Sequence, residues 1–216
     1  MRATMTPQQV ADRFLSKFGN HVSNIRVLEW AEGVKKVPKR SVWMTIPRDI
    51  ITDAVAELIA IDYPHLGVVA AADNGDLIDL LYHMQIFFGG RHEEIEIIFT
   101  VQVPKDDPHV PTISGLIPGA VYTEREKQDM IGVIVDGIPD SRRIFLPKDF
   151  PEDVYPWRKD EKGIPQSMIK ELWKVGRPTD RPAPPVSEPA TTESCAADGE
   201  EGSEKKPNAK TDGGEQ

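Results

Sequence analysis

Carboxylates and guanidinium groups gather in one stretch of this 216-residue chain. Glu124, Arg125, Glu126 and Asp129 come first, then Asp140, Arg142 and Arg143, then Arg158, Lys159 and Asp160. A carboxylate beside an arginine can serve as a general acid or base with an anion-stabilising partner. Glu124 or Glu126 with Arg142 or Arg143 is therefore the sharpest enzymatic reading. Its weakness is spacing, since side chains two apart on a helix point to different faces. Arg125 and Asp129, four apart, can meet along one face, yet an exposed pair of that kind contributes only ~0.3–0.5 kcal/mol. The same residues suit a charged lattice that holds the chain's own loops or faces another protein, because guanidinium makes bidentate bonds to carboxylates and carbonyls. Tyr155 and Trp157, with Phe150, Pro151 and Pro156, add the composition of an interface anchor. Docking is expected of Glu124, Arg125, Glu126, Asp129, Asp140, Arg142, Arg143, Tyr155, Trp157, Arg158, Lys159 and Asp160, with no catalytic, cofactor-binding or metal-ligating residue assigned.

Other chemistries lack their motifs. The five histidines (His21, His65, His83, His92, His109) have no zinc-type spacing, and the single cysteine, Cys195, can neither close an internal disulfide nor supply the thiolates of an iron–sulfur cluster. No glycine-rich phosphate loop and no nucleophile elbow occurs.

The elements that must position the cluster follow from periodicity. Thr6, Pro7 and Gln9 form a capping-box start for a helix with Val10, Phe14 and Phe18 on one stripe, ended by Gly19-Asn20. Ile25–Trp30 and Ser41–Ile46 read as a hairpin. The connection Gly33–Arg40 carries Lys35, Lys36, Lys39 and Arg40, either a solvated loop or a patch for an acidic neighbour or anionic headgroups. A second helix starts at Pro47-Arg48-Asp49 and stops before Tyr63-Pro64. Strands follow at Val68–Ala72, Leu77–Phe88 and Glu93–Val103, the last alternating Ile95, Ile97, Phe99, Val101 and Val103 against a mostly polar face. The expected fold is α+β: a mixed or antiparallel sheet with helices packed on one face (1–103), an extended docking segment (104–176), and a disordered acidic tail (177–216). Within the docking segment Pro118 and Gly132 bracket a short helix around Glu124, Asp136–Asp140 is a turn, and Ile164–Val175 is a last helix. The tail has nine acidic against five basic residues, no aromatic residue and Val186 alone among branched aliphatics, too little to offset the entropy of ordering.

The ordered run Glu124-Arg125-Glu126, Asp129-Met130, Gly132, Gly137, Pro139-Asp140, Arg142-Arg143-Ile144, Pro156 and Arg158-Lys159-Asp160 resembles the signature of the 30 kDa subunit family of proton-pumping NADH:quinone oxidoreductase. Relatives in membrane-bound, energy-converting nickel–iron hydrogenases share it. Ile131, Ile138 and Trp157 stand where that pattern has Phe, His and Leu, which leans the resemblance toward the hydrogenase-like branch.

The resemblance implies a non-catalytic peripheral subunit of an ion-translocating oxidoreductase complex, docked on a large catalytic (49 kDa-type) subunit and near an iron–sulfur small subunit. Iron–sulfur clusters and nickel–iron would then sit in partner subunits and no cofactor in this chain. The alternatives are the 30 kDa subunit of a NADH/quinone- or sulfur-linked respiratory complex, or a stand-alone enzyme with a Glu/Arg site. Composition fits the first reading. A net charge of −9 argues against nucleic acid, and no run of ~18 apolar residues encodes a membrane span. Met1–Thr6 lacks a signal-peptide core, so the expected place is the cytoplasmic side of the membrane, held there through the complex only.

Overall fold

The computed structural model describes residues 4–90 and 92–159. Asp160, the helix expected at 164–175, the tail at 177–216 and Cys195 lie outside the described residues.

Helix α1 (Pro7–Phe18) starts on the capping box: Thr6 Oγ1 accepts the Gln9 N–H and Gln9 Oε1 accepts that of Thr6. Strands β1 (Ser23–Glu32) and β2 (Val37–Ile46) form an antiparallel hairpin. The connection is shorter than the sequence suggests, because pairing continues to Glu32 and Val37 and leaves a turn of 33–36 alone. Lys39 and Arg40 are strand residues. After a turn of 3-10 helix at Arg48–Ile50, α2 (Ile51–Ile61) carries the chain across the sheet, ending as expected before Pro64.

Strands β3 (His65–Asn74), β4 (Leu77–Ile86) and β5 (Ile95–Pro104) then fold back as an antiparallel meander toward β2. The sheet order is β1-β2-β5-β4-β3. β5 closes the gap beside β2 as a parallel pair, so the sheet is mixed at its centre rather than antiparallel throughout. One face is apolar in register: Val42, Met44 and Ile46 of β2 sit beside Ile97, Phe99 and Val101 of β5, which sit beside Met84, Tyr82 and Leu80 of β4. Helices α1 and α2 cover that face, with the Phe14 and Phe99 rings 5.5 Å apart. Buried Glu57 of α2 takes Arg13 and Lys17 of α1, which ties the two helices together.

Residues after β5 join the same core. Strands β6 (His109–Pro111) and β7 (Ile134–Asp136) pair in parallel on either side of helix α3 (Ala120–Ile131). Ile113, Ile117, Ala120, Ile131, Val133 and Val135 are buried with the sheet residues in one apolar cluster. Pro118 falls just before the helix rather than in its first turn, and Gly119 is the N-cap.

Candidate docking surface

Helix α3 is fixed along the outer edge of β3. Thr123 Oγ1 accepts the N–H of Val69 (3.1 Å) and donates to its carbonyl, which satisfies the middle of an otherwise open strand edge. The buried stripe of α3 is Ala120, Glu124, Lys127 and Ile131, the spacing of one helical face, and two of its four members are charged. Glu124 is 3% exposed. Its carboxylate accepts Thr112 Oγ1 at 2.6 Å and the Ile113 N–H at 2.8 Å, so it anchors the 112–114 turn. Burial pushes its pKa up against the pull of those two bonds. Burial first, and the Glu124 charge second, also raise that of Tyr82, a fully buried neighbour. Lys127 pairs with Glu126 and holds its ammonium 4.7 Å from the Trp157 ring centroid.

The opposite side of α3 clamps the loop that follows β7. Asp129 Oδ2 accepts three successive backbone N–H groups, Ile144 at 2.7 Å, Phe145 at 2.9 Å and Leu146 at 3.5 Å. Arg125 does not pair with Asp129, four residues on. It donates to the Arg142 carbonyl (2.8 Å) and meets Asp140 at 3.2 Å, because Asp129 is already committed to the loop. Asp140 accepts the side-chain and then the backbone N–H groups of Arg142, which hold it well below the usual carboxylate range. Arg143 turns inward to the carbonyls of Phe150 (2.6 Å), Pro151 and Pro147.

The helix C-terminus is closed by the next segment. Gly132 ends α3 with φ +75, and the Tyr155 ring lies where a Cβ on Gly132 would be, within 2.6 Å of it. The N–H of Trp157 donates to Met130 O (2.9 Å), and Arg158 donates to Ile131 O (2.8 Å) while stacking 4.5 Å from the Tyr155 centroid. A cation on the terminal carbonyls also suits the negative end of the helix dipole. Lys159 donates its N–H to Asp73 at the β3–β4 turn. Burial opposes the charge of Asp73, but Lys105 and the N–H groups of Lys159 and Gly75 together hold it below its usual range.

Most of the residues expected to dock are thus brought together, and most face the chain itself. Glu124, Arg125, Asp129, Asp140, Arg143, Tyr155 and Arg158 hold loops. Arg142 points outward with its side chain 84% exposed, and Trp157 and Lys159 are also exposed. Five large apolar residues crop out here: Tyr122, Ile134, Ile144, Phe145 (60% exposed) and Trp157. A cleft of about 450 Å³ lies between the end of α3, β7 and the clamped loop, lined by Gln128, Val133, Arg143 and Tyr155 among others. Tyr122, Phe145, Thr112 and Thr123 do not stand out in the sequence. The one signal for Phe145 is an apolar run of three, Ile144-Phe145-Leu146, inside a polar stretch.

The pairing of Glu124 with Arg142 or Arg143 is not formed, since each group has other partners. Among the described residues no cluster of His, Cys, Asp and Glu could hold a metal ion, and no helix is long and apolar enough to cross a membrane.

Residues 44–167 match the family described as respiratory-chain NADH dehydrogenase, 30 Kd subunit. Membrane-bound hydrogenase subunit beta of Pyrococcus furiosus is 32% identical over 164 residues, 76% of this chain and 90% of that protein. Hydrogenase-4 component G of Escherichia coli is 34% identical over 122 residues, 55% of this chain but only 21% of that protein. In fold, this chain is similar to one from the membrane-bound sulfane sulfur reductase, an archaeal respiratory membrane complex. The TM-score is 0.58 and the identity 19%, over 82% of this chain and 98% of that one.

Proposed function

The chain belongs to the respiratory-chain NADH dehydrogenase 30 kDa subunit family, and from that premise we propose that it is a non-catalytic, peripheral subunit of a membrane-bound, ion-translocating oxidoreductase complex of the hydrogenase type. It docks on a large catalytic subunit through the outward side of α3 and of the clamped 140–159 segment, on the cytoplasmic side of the membrane, beside an iron–sulfur small subunit. Its own residues carry no electrons, and clusters or nickel–iron belong to its partners.

The observation that carries this reading is the surface around Phe145. A loop without regular structure is pinned by a buried carboxylate and an inward arginine, yet it presents Ile144, Phe145 and Arg142 to solvent. Aromatic and arginine side chains on a rigid support are the usual makings of an interface hot spot. A second support is the match to component G. The equivalent of this domain is there a minor part of one long polypeptide.

The test is purification of the tagged chain from native membranes in mild detergent, with identification and metal analysis of what it retains. Nickel, iron and a hydrogenase-type large subunit are expected; recovery of the chain alone and metal-free would refute the reading. Reversing both arginines is a poor probe of the contact, because Arg143 holds the loop from inside. Arg142→Ala combined with Phe145→Ala gives up the Arg142–Asp140 pair but leaves Asp140 with Arg125 and keeps the internal bonds of Asp129 and Arg143 in place, and should free the subunit from its complex without unfolding it. Unchanged retention of that double variant would remove the surface from consideration.

A further inference from the structure

The β1–β2 hairpin outruns its sheet. β2 pairs with β5 only from Ser41 onward, whereas β1 and β2 stay paired with each other as far as Glu32 and Val37. Residues 29–40 therefore form an arm whose two strands pair only with one another, running about 13 Å past the start of the β2–β5 pairing at ~3.3 Å per residue, with Gln85, Glu94 and Glu96 across a cleft from Trp30 and Lys39 at its base. Its turn is defined: Lys36 N–H donates to Gly33 O at 3.1 Å, with Gly33 at φ +69 and Lys36 at φ +48. A two-stranded ribbon gains little stability by itself, so a projecting arm of this length is not explained by the core beneath it.

Charge on the arm runs against that of the chain. The whole sequence carries −9, yet the arm has Lys35, Lys36, Lys39 and Arg40 against Glu29 and Glu32. Several cations elsewhere on the described residues are engaged: Arg13 and Lys17 with Glu57, Arg48 with Asp107, Lys105 with Asp73, Arg125 with Asp140. Among the described residues none of the arm's four cations is held in an ion pair.

The arm also has an apolar flank. Paired residues share a face, so Leu28 at the base of the arm and Trp30 within it lie with Val37, Lys39 and Glu32 on the side that α1 and α2 leave open, in line with Trp43. Leu28 is 44% exposed and Trp30 47%.

We infer that the arm is a second docking element, which lays the Leu28–Trp30 flank into an apolar groove of another protein subunit whose acidic side chains meet Lys35, Lys36 and Lys39. This adds a contact to the function proposed above and rests on it. A protein groove fits better than a lipid surface for two reasons. The large apolar side chains line the flank of the arm, with only Val34 at the tip where a bilayer would be met, and an exposed Trp on a strand flank is shaped for a groove. Unpaired cations beside an exposed Trp also match what fixes register and partner choice at interfaces.

The test uses the full chain in its native membranes with p-benzoylphenylalanine in place of Trp30, and a second version with the same probe in place of Phe145. After illumination, the position-30 probe should cross-link to a subunit of the complex at a peptide bearing acidic residues. Combining it with Lys35→Glu, Lys36→Glu and Lys39→Glu should cut the yield about tenfold or more, with the position-145 cross-link retained. Cross-links at position 30 only to lipid, only to a second copy of this chain, or to nothing, while position 145 still reports a subunit, would overturn the arm's role and leave the proposed function standing. A chain recovered outside any complex would overturn both.

Discussion

Replacing Asp129 by Ala takes away the acceptor of three consecutive amides in the 144–146 loop. Two of those bonds, at 2.7 and 2.9 Å, have the length of charge-assisted N–H···O bonds, and the third, at 3.5 Å, is marginal. A hydrogen bond to a charged acceptor contributes ~1.5–3 kcal/mol. Ile144 and Phe145 are exposed, so water can reach the loop once it lifts, and the low end applies to each good bond. The expected loss is about 3 kcal/mol of loop anchoring. Asp129→Asn keeps one carbonyl oxygen and should lose about 1 kcal/mol, the difference between a charged and a neutral acceptor. The loop carries few residues of the shared core, so the loss should appear first as local opening. Hydrogen exchange at the amides of Ile144 and Phe145 should accelerate on the order of a hundredfold in the Ala variant, since every 1.4 kcal/mol is a factor of ten. Amides of β4 and β5 should keep their protection. The reasoning fails if exchange at 144 and 145 and the denaturation midpoint both stay within about 0.5 kcal/mol of the parent.

Three further outcomes follow from the same region. Glu124 has a folded pKa raised by burial, so its contribution to stability is fully present below the unfolded value and lost as pH rises through the folded one. In Glu124→Gln the denaturation midpoint should gain on the parent as pH climbs out of the usual carboxylate range. Asp73 shifts the other way. Its folded pKa is depressed, so stability is present above the unfolded value and lost as pH falls through the folded one, and Asp73→Asn should flatten the acid limb of the pH–stability curve. Gly132→Ala meets both a left-handed backbone and the Tyr155 ring, and should cost roughly 2 kcal/mol or more while displacing Tyr155 and Arg158, read as a lower denaturation midpoint and altered near-ultraviolet dichroism.

What could be read from sequence was what local physics decides. The α1 cap, the glycine stop of α3 and the alternation along β5 each follow from residue types within a few positions, and each stands in the structure. The parallel β2–β5 pair depends on where α2 delivers the chain, which no periodicity encodes. Lys39 and Arg40 looked like loop because charge suggests solvent, yet an edge hairpin tolerates charge on both faces. In the candidate surface, spacing suggested an Arg125–Asp129 pair worth a few tenths of a kcal/mol. Tertiary structure offered Asp129 three amides instead, a larger gain, and left Arg125 to Asp140.

The inward turn of so many charges strengthens the docking argument instead of weakening it. An exposed Arg or Glu loses side-chain entropy when a partner immobilises it, about 0.5–1.5 kcal/mol each. Glu124, Asp129, Arg143 and Arg158 have met that cost within the fold, and each spends at least one hydrogen bond on backbone atoms of segments that would otherwise move. A partner docking as proposed would then meet a surface in which only a few side chains remain to be ordered. Phe145 and Trp157 each have just two side-chain torsions to freeze, and Trp157 is already steadied by Lys127. On this account, variants of the inward charges should weaken association through disorder of the 140–159 segment, and stabilising that segment by other means should rescue them. Variants at Arg142 and Phe145 should weaken it with the segment still ordered, beyond rescue of that kind.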